Sequence, residues 1–245
     1  MRKTLEIQRV TKSFGGLMAL LDITVSLIEG ETVGLIGPNG AGKTTLFNII
    51  FGMKPDSGKV FFEEKEITGL KPNEICHRGI ARTFQLIRPF ANLSVLDNVT
   101  CALLFGRRKK EIAELSDARE KAADILKWVK LDHRANTLAK ELVFAERRRM
   151  ELARALATGP SLLLLDEMMA GLSSSENKEM LEIMGRLKYE HDLTIFMIEH
   201  TMKLIAAMCD RIVVLNFGQK LVEGPLGEVF QNRKVIDAYL GEEDA

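Results

Sequence analysis

Two periods alternate along the chain. Leu5 and Ile7 lead into 8–10 as an edge strand, and Ile23, Val25 and Leu27 alternate with polar residues as a second strand. Between them lies Lys12-Ser13-Phe14-Gly15-Gly16, a turn carrying one aromatic ring. Residues 31–36 read as a short apolar strand. Beyond it Leu46, Ile49, Ile50 and Met53 fall at i, i+3, i+4 and i+7, one face of a helix. Pro55-Asp56-Ser57-Gly58 turns the chain into a strand over 59–62. From about 87 to 139 strand patterning fades, and Leu115, Ala118, Ala122, Ile125, Leu126 and Val129 keep helical spacing. Arg88-Pro89-Phe90 and the stretch 93–99 read as an apolar, turn-rich segment with exposed hydrophobic character. A helix resumes over 146–157 and stops at Gly159-Pro160. The leucines of 161–165 suit a strand covered on both faces. Ser173 and Glu176 have capping-box spacing for a helix whose stripe is Met180, Ile183, Met184 and Leu187. Residues 194–198 and 212–215 are two more apolar strands around a helix at 201–209. Strands alternating with helices predict an α/β class with a mostly parallel sheet, an antiparallel β edge sheet and a helical subdomain. The whole of 1–245 reads as a single domain, its core over about 1–86 and 140–245 and its helical subdomain over about 87–139.

Composition narrows the function. The 245 residues carry 34 Lys+Arg against 34 Asp+Glu, so no global basic field attracts nucleic acid. A spanning helix needs about 20 mostly apolar residues, and the longest strictly apolar run is 204–209. The N-terminus runs straight into strand pattern, with no signal peptide expected. Cys76, Cys101 and Cys209 have no metal-site spacing and read as reduced thiols of a cytoplasmic protein. The run Arg107-Arg108-Lys109-Lys110 reads as a solvated face.

The candidate chemistry begins at Gly37-Pro38-Asn39-Gly40-Ala41-Gly42-Lys43-Thr44-Thr45, which has the G-x-x-x-x-G-K-[ST] spacing between a strand and a helix. In that setting a glycine-rich backbone curls its N–H groups inward and a helix N-terminus adds partial positive charge. Lys43 supplies a cation for β- and γ-phosphates, and Thr44 supplies a hydroxyl for Mg²⁺. The expectation is a nucleoside triphosphate site in a P-loop NTPase core. The strand 161–165 ends in Asp166-Glu167, and carboxyl ends of parallel strands face the ligand crevice. Asp166 is the natural Mg²⁺ partner, while Glu167 is placed to orient or deprotonate an attacking water. Strand 194–198 likewise ends in Glu199-His200, where spacing alone leaves His200 undecided. On composition alone Gln85 is a polar loop residue.

The order of these motifs resembles the nucleotide-binding subunit of an ATP-binding cassette (ABC) transporter from about residue 5 to 241. The resemblance implies that Phe14 stacks on adenine. It also implies that Gln85 approaches Mg²⁺ and that His200 reaches the γ-phosphate. Arg149 and Arg154 stand where that family has arginines after its signature sequence. Gly79-Ile80-Ala81-Arg82-Thr83-Phe84-Gln85, Ile198-Glu199-His200 and the tail 235–242 are similar to the ATPases of branched-chain amino-acid importers. The implied activity is ATP hydrolysis with Mg²⁺ at the cytoplasmic face of the membrane. The implied partners are membrane permease subunits, a second ATPase subunit and, indirectly, a solute-binding protein. A lipopolysaccharide-export ATPase and a regulatory cassette with low turnover are the alternative readings. A soluble cassette on ribosomes or DNA would carry two cassettes or long coiled-coil inserts, and neither is present.

The chain departs from the family at its signature. Where Leu-Ser-Gly-Gly-Gln is usual, it has Leu142, Val143, Phe144, Ala145 and Glu146. Those residues normally touch ATP held by the opposite subunit. Loss of the hydroxyl, a bulky ring and an acid at Glu146 predict weaker closure over that ATP and an asymmetric heterodimer, with a homodimer in which the helix N-terminus behind residue 144 still serves the phosphate as the competing reading. Met168 follows Asp166-Glu167 in place of the usual Pro, and Ser173 replaces the usual Asp.

Overall fold

The computed structural model describes residues 2–84, 88–107 and 111–240, with the side chains of 239 and 240 left aside. Gln85, proposed on the family pattern, lies outside the described residues, as do Arg108, Lys109 and Lys110. The chain forms two compact units: one runs to Pro72 and resumes at Thr194, and the other is Asn73–Leu193.

The first unit opens with β1 (Lys3–Phe14), β2 (Leu17–Ile28), β3 (Thr32–Ile36), α1 (Lys43–Ile50), β4 (Ser57–Phe62) and β5 (Lys65–Glu66). β1 pairs antiparallel with both β2 and β4, giving the order β2-β1-β4-β5. β1 is therefore an inner strand rather than the edge its alternation suggested, because alternation reports one buried face and says nothing of how many neighbours a strand has. Leu5, Ile7 and Val10 of β1 meet Ile23, Val25, Leu27 and Val60 on the buried face.

The second unit contains α2 (Pro72–Arg78), whose first residue ends the first unit, then β6 (Ile80–Arg82), α3 (Val95–Phe105), α4 (Leu115–Trp128), α5 (Phe144–Ala157), β7 (Leu162–Asp166) and α6 (Ser174–His191). β6 and β7 run parallel, with Ile80, Ala81 and Arg82 opposite Leu162, Leu163 and Leu164. Two expectations change here. Residues 95–99 are not an exposed turn but the first part of α3, capped by the Ser94 hydroxyl on the Asp97 N–H at 3.0 Å. Val95 and Val99 are buried, which leaves Phe90 and Leu93 as the exposed apolar residues. The helix expected from 146 starts at Phe144. The expected capping box of α6 is present, with Ser173 and Glu176 each accepting from the other's backbone N–H.

Back in the first unit come β8 (Thr194–Ile198), α7 (Met202–Met208), β9 (Arg211–Asn216), β10 (Gln219–Gly224), α8 (Leu226–Val229) and α9 (Arg233–Leu240). β3 runs parallel to both β8 and β9, and β10 closes antiparallel on β9. Every residue of β3 and β8 is buried, as apolar strands covered on both faces must be. The start of β3 is tied by polar groups: the Thr32 N–H donates to Asp210 at 2.7 Å, and Arg211 donates to Glu31 at 2.8 Å. α1 buries Leu46, Phe47, Ile49 and Ile50, and the rings of Phe47 and Phe196 lie 5.2 Å apart. Among the described residues no helix is long and apolar enough to cross a membrane.

Phe47 is fully buried between α1 and β8. Phe47→Ala is expected to cost about 3–5 kcal/mol through lost burial and the cavity left behind. Urea unfolding followed by circular dichroism measures this, and an unshifted midpoint would mean that the ring is not part of the core.

Candidate functional site

β3 delivers the chain into the glycine-rich loop at full burial, and the loop has no room for a side chain at its first position. A Cβ on Gly37, whose φ is 144°, would lie 2.0 Å from the Leu215 carbonyl oxygen; one on Gly42 would lie 2.5 Å from that of Ala19. The loop is closed on itself by the Ala41 N–H to Pro38 O bond at 3.2 Å and bound to the β9–β10 turn by the Gly218 N–H to Ala41 O bond at 3.2 Å. Asn39 and Gly40 form its exposed tip, while Ala41 is buried. Lys43, the first residue of α1, is buried and folds back over the loop. Its Nζ donates to Gly37 O at 2.5 Å and to Pro38 O at 2.8 Å. Thr44 is exposed at the first turn and Thr45 is half-buried. A backbone cradle that excludes a Cβ at Gly37 and Gly42, a lysine reaching over it and a hydroxyl at a helix N-terminus fit phosphate oxygens and a hard cation such as Mg²⁺.

Phe14 ends β1 with its ring 47% exposed, and the Lys12 ammonium lies 5.4 Å from its centroid. Asp56 fixes this turn. It accepts from Lys12 Nζ at 2.7 Å, from the Ser13 N–H at 2.7 Å and from the Ser13 hydroxyl at 2.8 Å. Lys12 first, then Ser13, hold the Asp56 carboxyl down at about 2, below its ordinary 3.8. A depressed carboxyl pKa keeps this tie ionised above about pH 4 and loosens it only as pH falls toward 2. His200 is exposed two residues past β8, after the buried Glu199.

In the second unit Asp166 is the last residue of β7 and is buried. Arg82 Nη2 donates to its Oδ2 at 2.7 Å, with both side chains only 5% exposed. The Asp166 N–H donates to the Thr83 hydroxyl at 3.3 Å, and the Thr83 N–H to Leu164 O at 3.0 Å. Glu167 follows with φ at 49°, a left-handed conformation that a non-glycine residue adopts only where its surroundings hold it. Met168 and Met169 then turn into the core.

The altered signature leads into α5. Val143 precedes the helix and has no oxygen to accept an N–H, so only the acidic half of a capping box remains: Glu146 Oε2 accepts the Val143 N–H at 3.1 Å. The same carboxylate pairs with Arg134 Nε at 3.2 Å. The acid expected to face phosphate is therefore paired with Arg134 and bonded to the backbone at the start of its own helix. Val143 and Phe144 stay 61% and 48% exposed, while Leu142 and Ala145 are buried. Phe144 lies 3.1 Å from where a Cβ on Gly171 would be, and the Arg148 guanidinium lies 5.2 Å from its ring centroid. Arg149 pairs with Glu179 at 3.1 Å, and Arg154 donates to Arg88 O at 3.1 Å.

Residues 37–45, Phe14 and His200 thus belong to the first unit, and Asp166, Glu167 and residues 142–146 to the second. Sequence reasoning passed over Asp56, Arg82 and Glu151. Arg82 sits in a strand of only three residues, too short for its spacing to reveal an inward charge.

The description "ABC transporter" matches the chain over residues 20–170, and "Branched-chain amino acid ATP-binding cassette transporter" matches 219–245. The high-affinity branched-chain amino acid transport ATP-binding protein LivG of Salmonella typhimurium is 40% identical, covering 97% of this chain and 98% of its own. BraF of Pseudomonas aeruginosa, a protein of the same description, is 38% identical over 98% of this chain and 99% of its own. Among solved structures, MJ1267, an ATP-binding cassette of an ABC transporter, superposes with a TM-score of 0.88 at 32% identity, covering 98% of this chain and 99% of its own. Loop, strand-end carboxylates and full-length likeness agree: the chain belongs to the ABC transporter family, among its ATP-binding cassettes.

Proposed function

We propose that this chain is the ATP-hydrolysing subunit of an importer for branched-chain or related amino acids, seated at the cytoplasmic face of the membrane. The observation that carries the reading is the loop at 37–45, with no room for a Cβ at Gly37 or Gly42 and with Lys43 laid over its carbonyls. Lys43 would exchange those carbonyls for β- and γ-phosphate oxygens of ATP. Phe14, its turn fixed by Asp56, would stack on adenine. Thr44, Asp166 and Gln85 would hold Mg²⁺, which when bound offsets the negative charge of the phosphates. Glu167 would take the proton of the attacking water, and His200 would reach the γ-phosphate. Membrane permeases, a second cassette and, through the permeases, a solute-binding protein complete the assembly. We assign the permease contact to the helical subdomain at about 87–139, where Phe90 and Phe105 stay exposed.

Three outcomes test this reading. Lys43→Ala should weaken a fluorescent ATP analogue at least about tenfold, the scale of a charge-assisted hydrogen bond. Unchanged affinity would refute the nucleotide site. Glu167→Gln should bind ATP normally but slow hydrolysis by about 10²–10⁴ in the assembled transporter; a loss below about tenfold would move the role elsewhere.

The third concerns pairing. Val143 and Phe144 offer the opposite ATP neither hydroxyl nor small backbone, so a partner cassette with an intact signature makes one strong site, held by this chain's Lys43, Glu167 and His200. Glu167→Gln here should then reduce transporter ATPase more than the equivalent change in the partner. Equal losses, or full activity from this chain alone, would overturn the heterodimer.

A further inference from the structure

Asp166 is asked to serve two cations. It is the carboxylate proposed for Mg²⁺, and it already accepts Arg82 Nη2 at 2.7 Å inside the second unit. A guanidinium and a dication on one buried carboxylate repel each other in a medium that screens weakly. Arg82 cannot simply withdraw, because β6 holds its backbone opposite Leu164. A buried guanidinium leaving one carboxylate needs another.

A second carboxylate is at hand. Glu151, buried on α5, uses Oε1 to accept the Phe84 N–H at 2.6 Å, two residues beyond Arg82. Its Oε2 is buried with no hydrogen-bond partner among the described residues, and it meets the Arg148 guanidinium only as an ion pair at 3.7 Å. The Arg82 guanidinium lies 5.3 Å from the Phe84 ring centroid, over the residue whose N–H Glu151 already holds. Burial pushes the Glu151 carboxyl above the ordinary carboxylate range and the charge of Asp166 adds to the rise, against the lowering by the Phe84 N–H and the Arg148 and Arg154 guanidiniums. Glu151 therefore gains from an arriving cation. The remaining members of this cluster lead to the signature, since Arg148 faces both Glu151 and the Phe144 ring.

We propose that Arg82 is a two-position cation, paired with Asp166 until Mg²⁺ takes that carboxylate and then paired with Glu151 Oε2. Arg82 is a positioning residue: it sets the metal requirement of Asp166 and passes the metal's arrival to α5 and Phe144. The proposal rests on the Mg·ATP reading above. Arg148, sharing Glu151 with an incoming Arg82, is pushed toward Phe144, so the exposed ring of the signature senses whether Asp166 holds its metal.

The test uses the full chain, a fluorescent adenine nucleotide at fixed concentration, and Mg²⁺ as the titrant. Arg82→Gln removes the rival and should reach half-maximal binding at about tenfold less Mg²⁺, the scale of one charge-assisted contact. The same variant should melt earlier than wild type without Mg²⁺ and recover with Mg²⁺ and nucleotide. Glu151→Gln keeps an oxygen for the Phe84 N–H but removes the receiving charge, so it should require more Mg²⁺. In the double variant the Glu151→Gln effect should disappear, because no guanidinium remains to be received. A higher Mg²⁺ requirement for Arg82→Gln, or a Glu151→Gln effect of equal size in both backgrounds, overturns the switch. Should Arg82→Gln not fold, Glu151→Gln decides alone, and an unchanged Mg²⁺ requirement overturns it. Absence of nucleotide binding by the wild-type chain would overturn the proposed function itself, whereas normal wild-type binding with these variant failures overturns the switch only.

Discussion

A carboxylate buried at the end of an apolar strand must be compensated where it stands. Asp166 follows four buried leucines, and its charge is met by Arg82 from the neighbouring strand. Removing one partner of such a pair costs about 3–5 kcal/mol, because the other is left buried and alone. The requirement fixes more than one bond. β6 must hold its register against β7 so that Arg82 and Thr83 both reach Asp166. Phe84 must then leave the strand with its N–H toward Glu151, which gives α5 its polar contact with this corner. The stability of this corner and its proposed chemistry draw on the same charges.

The glycine-rich loop answers a different constraint with the same economy. Its backbone passes so near Leu215 and Ala19 that side chains at Gly37 and Gly42 are sterically excluded. Lys43 is buried, and its ammonium is satisfied by two carbonyls of the loop it is expected to serve. Phosphate oxygens bring charge that these carbonyls lack, which favours an exchange of partners at Lys43. The polar ties of Asp210 and Arg211 at the start of β3 keep the strand that delivers this loop in place.

The altered signature is a packed structure rather than an eroded one. Phe144 fits against Gly171, whose φ of 82° and missing Cβ make the approach possible, and Arg148 covers its ring. Glu146 spends its charge on Arg134 and on the backbone N–H that a serine cap would not have satisfied. What faces outward is Val143 and half of Phe144, an apolar surface where an acidic one was expected. The asymmetry proposed for the assembly then turns on a missing hydroxyl and added bulk, and not on repulsion of phosphate.

Much of the fold was legible in the residues. Short apolar runs marked the strands 194–198 and 212–215, and the spacing of Ser173 and Glu176 located the start of α6, because period and capping are local properties. The spacing from Gly37 to Thr44, between a strand and a helix, set the loop by backbone geometry alone. Local patterns could not show that β1 is an inner strand, that Val95 and Val99 turn inward on α3, or where a long charged side chain ends. Nothing local to Arg82, Glu146 or Glu151 showed what each would pair with, because their partners stand 84, 12 and 67 positions away. Sequence by itself determined the phosphate loop and the placing of Asp166 and Glu167 after an apolar strand, since each follows from contiguous residues. Only the tertiary structure decided which cation each buried carboxylate holds, because that depends on strands and helices brought together from distant parts of the chain.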